Sequence, residues 1–504
     1  MDRTTYDYLV VGGGTAGAVV AARLAEDPET SVCLVEAGPS DEGVREILEL
    51  KRWQGLLGHA DYGREFEIEH QPRGNSDILH SRGVMLGGSS SHNSAIAFKP
   101  TEGDMQRWEA AGATGWGPDG VAEHFSRVSR TVNMEPSEWG NPLVEAFISG
   151  GEELGFPRLN FAKGVREGVG LFQLNKRGGL RQSSSAAYLH PLPELPDNLT
   201  VLTGTRTRRI LFEGGENGRA AGIETERGEL RAGEEVVLSC GAFDTPKLLM
   251  LSGVGPAEPL GMLGVPVVSD VIGVGENLLD HPEGVVMWES SGPIPDETAN
   301  YYEAGLFANV DADAGDPDLM FHFGTQAFDM HTLPRGYPTA ENAFSITPNV
   351  TRARSRGTVR LRSADPDAPP VIDFRYFTDP EGYDERIMVE GVRLAREVAG
   401  SPALAKWVER ELAPGPSARS FEEISEYVRS TANTVYHPAG TCRMGAPDDP
   451  DAVVDPDLRV RGVEGLRVAD ASVFPSMISV NPCITCMMVG EKAADLVKGQ
   501  RTAR

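Results

Sequence analysis

Three glycines, Gly12, Gly14 and Gly17, stand in the spacing G-x-G-x-x-G between the apolar run Tyr8-Leu9-Val10-Val11 and a helix-patterned stretch from Ala18 to Leu24. Glycines so placed permit a tight turn and close backbone approach, and a pyrophosphate can then rest on free amides at the helix N-terminus. Glu36 follows the last glycine by 19 residues, at the end of Ser31-Val32-Cys33-Leu34-Val35. A carboxylate there can accept both hydroxyls of a ribose and would repel a 2′-phosphate, which disfavours NADP. The spacing points to a dinucleotide site and does not by itself choose between NAD and FAD. A second small-residue stretch, Gly87-Gly88-Ser89-Ser90-Ser91-His92-Asn93-Ser94, carries a histidine and lets backbone come close to a large flat cofactor. Cys483-Ile484-Thr485-Cys486 has redox-pair or half-zinc spacing but no second pair and no histidine partners, and reads as small residues opening a C-terminal helix. The ten histidines are dispersed without ligand spacing, so no metal is expected.

The elements that must position these residues follow from hydrophobic pattern. The opening is a complete strand–helix–strand unit. Strand-like runs recur at Glu235-Val236-Val237-Leu238 and at Gly465-Leu466-Arg467-Val468-Ala469, each followed by a small-residue turn and a helical stretch. The late one brings the C-terminus back to the first domain, which is therefore discontinuous: 1–135, 180–282 and 435–504. The region from Pro282 to Thr434 has a different texture, with alternating segments such as Leu319-Met320-Phe321-His322-Phe323, a strand at Gly357–Arg362 and a helix over Asp384–Ala399. It reads as an antiparallel sheet backed by helices, a substrate domain of 136–179 and 283–434. The fold class is α/β, or α+β overall, with a Rossmann-like dinucleotide domain. The stretch Ala446–Asp457 reads as a surface loop.

Composition bounds the function. The chain has 504 residues, 47 Lys+Arg against 74 Asp+Glu and a formal charge of −27. Such a chain repels phosphate backbones, which excludes nucleic acid as a partner. Hydrophobic content of 40% and charged content of 24% describe an ordinary folded core and surface. No run of about 18 apolar residues predicts a transmembrane helix. The absence of a secretory pattern at the N-terminus, with five sparse cysteines, predicts a cytoplasmic protein without a disulfide framework.

The segment 238–256, which joins a strand end, a turn and a helix, completes a set of long-range motifs. With Arg82–Lys99, Gly241–Pro256 and Val468-Ala469-Asp470-Ala471-Ser472 followed by Asn481-Pro482, the chain resembles the glucose–methanol–choline (GMC) oxidoreductases over nearly its whole length. The resemblance implies FAD. The residues it assigns to the cofactor are Gly12, Gly14, Thr15, Ala16, Gly17, Glu36 and Ala37 from the opening unit. Gly87, Gly88, Ser89, His92, Asn93, Ser94 and Ala95 come from the second glycine motif. Thr207, Cys240, Gly241, Ala469, Asp470, Asn481, Pro482 and Thr485 complete the set.

Within the family the resemblance runs to the choline oxidases. It implies that His92 bonds covalently to the flavin, as an unprotonated imidazole nitrogen attacking an activated ring methyl. It implies that Glu283, in Asp280-His281-Pro282-Glu283-Gly284, supplies the charge for a trimethylammonium head. A quaternary ammonium has no N–H and is held by a negative charge and by aromatic faces. Trp53, Tyr301, Tyr302, Phe328 and Tyr436, with Val435, are the candidates for that wall; choline oxidases place tryptophan where this chain has Tyr301-Tyr302. His437 matches the family's active-site histidine, as general base or electrostatic partner of the alkoxide, and Asn481 the second active-site position. His322 matches a further histidine of the substrate site, and Ser94 offers a hydroxyl near the flavin. The expected reaction is hydride transfer from a cationic alcohol to FAD, with molecular oxygen reduced to hydrogen peroxide. The alternatives are another primary alcohol or a non-oxygen acceptor. A homodimer is a family expectation. His59, His70, His80, His124, His190 and His331 are read as structural.

Overall fold

A computed structural model describes residues 4–137, 140–191, 195–311 and 315–503. The opening unit forms as its pattern predicts: β1 (Thr5–Val11), α1 (Gly17–Leu24) and β2 (Val32–Val35), with β1 and β2 parallel. Both strands are almost wholly buried because helices cover each face of the sheet, so their residues need not alternate. A seven-stranded sheet grows around β1. Its neighbours are Gly228–Leu238 on one side and β2, then Leu199–Leu202, on the other, all parallel. Thr207–Glu213 and Arg219–Thr225 add an antiparallel meander at one edge, and Leu466–Val468 pairs parallel with the end of Gly228–Leu238. The late strand thus returns to the first sheet, as the sequence predicts. The C-terminal helix Cys483–Ala503 then packs on α1.

The second sheet has eight strands. Its path runs Val408–Ala413, Val286–Ser290, Ala343–Val350, Leu319–Gly324, Tyr302–Ala308, Gly168–Leu171, with antiparallel neighbours throughout. Helices Pro142–Glu153 and Tyr383–Ala399 back it. The alternation along Leu319–Gly324 has a structural consequence. Phe321 and Phe323 join the helix-side core, where Phe147 stacks on Phe323 at 4.4 Å between ring centroids. Met320 packs in the other core, and His322 lines a cavity on that side. Short strands at Pro282–Glu283 and Asn433–Thr434 pair with each other where the chain passes between the two sheets.

Two expectations are adjusted here. The strand within Gly357–Arg362 is only Thr358–Arg360 and pairs with Val371–Asp373 in a separate two-stranded ribbon. The Ala446–Asp457 stretch is not surface throughout, because Ala452, Val453 and Val454 are buried against the first core. Among the described residues no helix is long and apolar enough to cross a membrane, and no group of ligating side chains could hold a metal ion.

Candidate active site

The glycine turn between β1 and α1 opens a cavity of about 550 Å³ lined by Gly12, Gly14, Thr15, Ala16, Glu36 and Ala37. Helix α1 begins without a side-chain cap and without an acidic residue in its first turn, which leaves its N-terminal amides to a ligand. Glu36 does two things. Its Oε2 and Oε1 accept from the N–H groups of Gly13 and Gly38, both at 2.8 Å, and burial pushes its carboxyl up to about 7. Gly17 does not line the cavity. A side chain there would meet the Gly12 carbonyl oxygen at 1.9 Å, so this glycine lets helix and turn touch. Thr207, Cys240, Gly241 and Asp470 complete the far wall. Asp470 Oδ2 accepts from Gly241 N–H at 2.9 Å and Thr245 Oγ1 at 2.6 Å, tying the late strand to the helix Gly241–Leu251.

A second cavity, about 140 Å³, abuts the first. The two share Thr15, Arg82, Ser89, Pro438, Ala471 and Cys486 in their walls. Around the smaller one the fold assembles His92, Asn93, Ser94, Glu283, Tyr302, His322, Phe328, Val435, Tyr436, His437, Asn481, Pro482 and Trp53. These residues come from the second glycine motif, the short helical stretch Leu50–Leu56, the strands and loops of the eight-stranded sheet and the segment just before the C-terminal helix. Gly87, Ala95, Ala469 and Thr485, assigned to the cofactor above, line neither cavity. Tyr301 is a correction. It takes a left-handed φ of 68° just before the strand Tyr302–Ala308, so the two tyrosines face opposite ways. Tyr302 enters the cavity wall, while Tyr301 turns out beneath Lys51, whose Nζ lies 5.4 Å from its ring centroid.

The aromatic wall is ordered by its own contacts. Tyr302 meets Trp53 edge-on at 6.0 Å and Phe328 at 6.3 Å, and Trp53 Nε1 donates to the Asn300 carbonyl at 3.0 Å. Glu283 sits beside them, 6% exposed, with Oε1 3.4 Å from His322 Nδ1. Its strand, Pro282–Glu283, is clamped between Asn349 and Asn433, which fixes the carboxylate in the wall.

His437, also in this lining, is paired with a second imidazole, His281, that sequence reasoning did not single out. His281 Nε2 is 2.9 Å from two carbonyl oxygens, those of Thr351 and Ile478, so it must carry the proton. Burial lowers this ring to about 4, so it is neutral and its Nδ1 holds a lone pair. That lone pair faces His437 Nδ1 at 2.9 Å, which must therefore donate. Burial holds His437 well below the usual histidine range, so its remaining lone pair is on Nε2, 3.4 Å from Asn481 Nδ2 at the cavity. Asp280 fixes the backbone of this group: Oδ1 accepts from His437 N–H at 3.0 Å, and Oδ2 from Thr434 Oγ1 and Tyr376 OH, both at 2.6 Å. Tyr436, at a φ of 62°, supplies the bend that turns His437 inward. The signal for His281 and Asp280 was their place in the segment that carries Glu283.

The donor set can be tested against a flavin dinucleotide on the atoms it leaves open. His92 Nε2, Asn481 Oδ1 and Thr207 Oγ1 are buried without a hydrogen-bond partner in the protein. His92 is neutral, since burial lowers it to about 3, and its Nδ1 faces the Ser89 carbonyl at 3.3 Å, so the lone pair is on the unpartnered Nε2. An uncapped helix end, the Glu36 carboxyl in the wall of the larger cavity and buried polar atoms around two joined cavities fit such a group.

Comparison with known proteins agrees. Residues 6–283 and 353–490 match the two GMC oxidoreductase family models. The chain is 50% identical to a choline oxidase of Arthrobacter globiformis, over 98% of this chain and 95% of the relative. It is 36% identical to an oxygen-dependent choline dehydrogenase of Rhizobium rhizogenes, over 99% and 96%. Among solved structures, pyridoxine 4-oxidase from Mesorbium loti superposes with a TM-score of 0.89 at 30% identity, covering 99% of each chain. A formate oxidase variant of Aspergillus oryzae RIB40 gives a TM-score of 0.89 at 26% identity and covers 100% of each. An uncapped glycine turn, a base-bearing cavity beside it and matches to both halves of one family lead to one assignment: the chain belongs to the GMC oxidoreductases, a family of FAD-dependent enzymes.

Proposed function

We propose that the protein oxidises choline to betaine aldehyde, and onward through the hydrated aldehyde to glycine betaine. The observation that carries this reading is Glu283, a buried carboxylate in a wall it shares with Trp53, Tyr302 and Phe328. A permanent cation is the ligand such a wall stabilises, since it needs charge and π faces and no hydrogen-bond acceptor. FAD would be held by the residues lining the larger cavity and by His92 in the wall of the smaller one, and would supply the hydride acceptor, with molecular oxygen as the final acceptor giving hydrogen peroxide.

The rest of the chemistry belongs to the chain. Glu283 and the rings hold the ammonium head and so orient the hydroxyl toward His437. His437 Nε2 takes the hydroxyl proton as the alkoxide forms, with Asn481 beside it as a neutral donor at any pH. His281 keeps His437 in the tautomer that leaves Nε2 free. His322 and Ser94 complete the lining near the substrate. His92 Nε2 is the tether to the cofactor. The division of the chain at 1–135, 180–282 and 435–504 against 136–179 and 283–434 belongs to the same proposal, and the two separate sheets support it.

Anaerobic addition of choline to the purified yellow protein tests both parts. Choline, and not its neutral isostere 3,3-dimethylbutan-1-ol at equal concentration, is expected to bleach the flavin. Equal bleaching by both would remove Glu283 as the anchor. Acid precipitation is expected to leave the colour in the pellet, and in the supernatant for His92→Ala.

A further inference from the structure

The wall shared by the two cavities carries one charged side chain, Arg82, on the strand Leu79–Gly83 that leads into the second glycine motif. Its Nη1 donates to the Tyr436 carbonyl at 2.7 Å. That carbonyl belongs to the same peptide whose N–H, on His437, donates to Asp280 Oδ1 at 3.0 Å. The peptide in front of the base is therefore held at both poles, by a cation on its oxygen and a carboxylate on its N–H. Both contacts are charge-assisted hydrogen bonds, and the peptide dipole lies along the field between them. Burial lowers Arg82 to about 10, with the Asp280 charge opposing, and raises Asp280 to about 6, so above about pH 7 both ends are charged. Buried charges persist where they find partners, and here one peptide serves both. The bend at Tyr436 needs such a hold, because its φ of 62° is a left-handed conformation that a tyrosine keeps only when its surroundings fix it. Tyr436 N–H donates to Thr434 Oγ1 at 2.7 Å, and that hydroxyl donates to Asp280 Oδ2 at 2.6 Å. Asp280 thus holds the chain on both sides of the bend, and Arg82 ties the bend to the segment that carries His92.

We propose that Arg82 is a positioning residue for the base: together with Asp280 it fixes the Tyr436–His437 peptide, and so the direction in which His437 Nε2 meets the substrate hydroxyl. The inference rests on the reading of His437 as the base. His281 decides which nitrogen of His437 carries the proton, and Arg82 decides where the ring stands. Without the guanidinium the Tyr436 carbonyl loses its donor, and the peptide can turn about the bonds on either side and carry the imidazole with it. A displacement of about an ångström is enough to slow proton removal strongly. The ammonium wall of Glu283, Trp53 and Tyr302 does not depend on that peptide and keeps its grip on a cation.

The test compares the wild-type holoenzyme with Arg82→Met, Arg82→Gln and Arg82→Lys. It reads the rate constant of anaerobic flavin reduction at saturating choline, per bound flavin, and the affinity for tetramethylammonium, titrated through the flavin spectrum. In Arg82→Met the rate constant is expected to fall about tenfold or more, as for a lost hydrogen bond to a charged group, with no loss of tetramethylammonium affinity. Arg82→Lys keeps a charged donor and is expected to recover part of the rate; Arg82→Gln keeps a neutral donor and is expected to recover less. If the methionine variant fails to fold, the order of lysine over glutamine carries the test. Arg82→Met combined with Asp280→Ala is expected to lose less than the product of the two single losses, because both act on one peptide. An unchanged rate, equal rates in all three variants, losses that multiply, or a fall in ammonium affinity as large as the fall in rate overturns the inference. If choline reduces the wild type and His437→Ala equally fast, the base reading falls and the inference with it. If choline does not reduce the wild type, the choline reading fails, and crystal structures of the wild type and Arg82→Met (or Arg82→Gln) decide the role of Arg82. A turned Tyr436–His437 peptide in the variant supports it, and an unmoved one overturns it.

Discussion

At the scale of single residues, the active site is a problem in proton placement. Two carbonyl oxygens on His281 Nε2 fix the proton of that ring and, through it, the proton of His437, and the result is a lone pair on His437 Nε2. His281→Ala is therefore expected to slow anaerobic reduction by choline about tenfold or more, leaving flavin content unchanged. His281→Asn, whose amide oxygen can accept the same N–H, is expected to recover part of the rate. Equal rates in the two variants would make His281 a packing residue only. Asp280 makes a separate prediction. Burial pushes its carboxyl from 3.8 up to about 6, so the folded protein holds that proton more tightly than the unfolded chain does. Stability from this group is present at low pH and is lost as pH rises from about 4 through 6. Asp280→Asn has no such proton, so the stability of the variant minus that of the wild type is expected to rise over that window. The rise is about 3 kcal/mol, with a plateau above about pH 7. Denaturant midpoints at both ends of the window check the sign. A difference that is flat with pH would mean that the carboxyl ionises normally.

At the scale of elements, the site depends on how closely two turns can stack. Gly88 has a φ of 51°, and a side chain there would meet the Gly14 Cα at 2.7 Å. The turn that carries His92 thus rests directly on the turn that presents amides to the dinucleotide. Gly88→Ala is expected to fold but to purify with less than about half the flavin of the wild type, because the clash falls on backbone that cannot yield by rotating a side chain. An unchanged ratio of flavin to protein absorbance would show that the turns can separate at no cost. The first unit was legible because its signals are local: an apolar run, three glycines at fixed spacing and a carboxylate at the next strand end. The return of Leu466–Val468 was legible for the same reason. The sidedness of Tyr301 and Tyr302 was not, since one left-handed residue decides it and an aromatic pair carries no mark of which ring faces in. His281 was hidden more deeply. Its role exists only where segments around 281, 351, 437 and 478 meet, and no periodicity records such a crossing.

At the scale of the whole molecule, two sheets with separate cores hold cavities that meet at a shared wall, and the chain passes between the sheets on either side of Glu283. The anchor for the ammonium and the loop of the base are therefore neighbours in one short pairing, Glu283 opposite Asn433, although 150 residues of sequence separate those strands. Beyond this contact, the formal charge of −27 surrounds the site with a negative field. A cation approaching the cavity falls through that field before it touches Glu283, and a neutral alcohol of the same shape does not. The reach of the field is about 30 Å at 0.01 M salt and a few ångströms at 1 M. Raising ionic strength from about 0.01 M to about 0.5 M is expected to lower kcat/KM for choline several-fold, mostly through KM. The value for 3,3-dimethylbutan-1-ol is expected to stay constant. Glu283→Gln separates the near charge from the far one: it is expected to lower kcat/KM for choline at every salt concentration while preserving the slope. A parallel decline for the neutral alcohol would mean that salt acts on the protein itself, and the surface charge would then have no part in capturing the substrate.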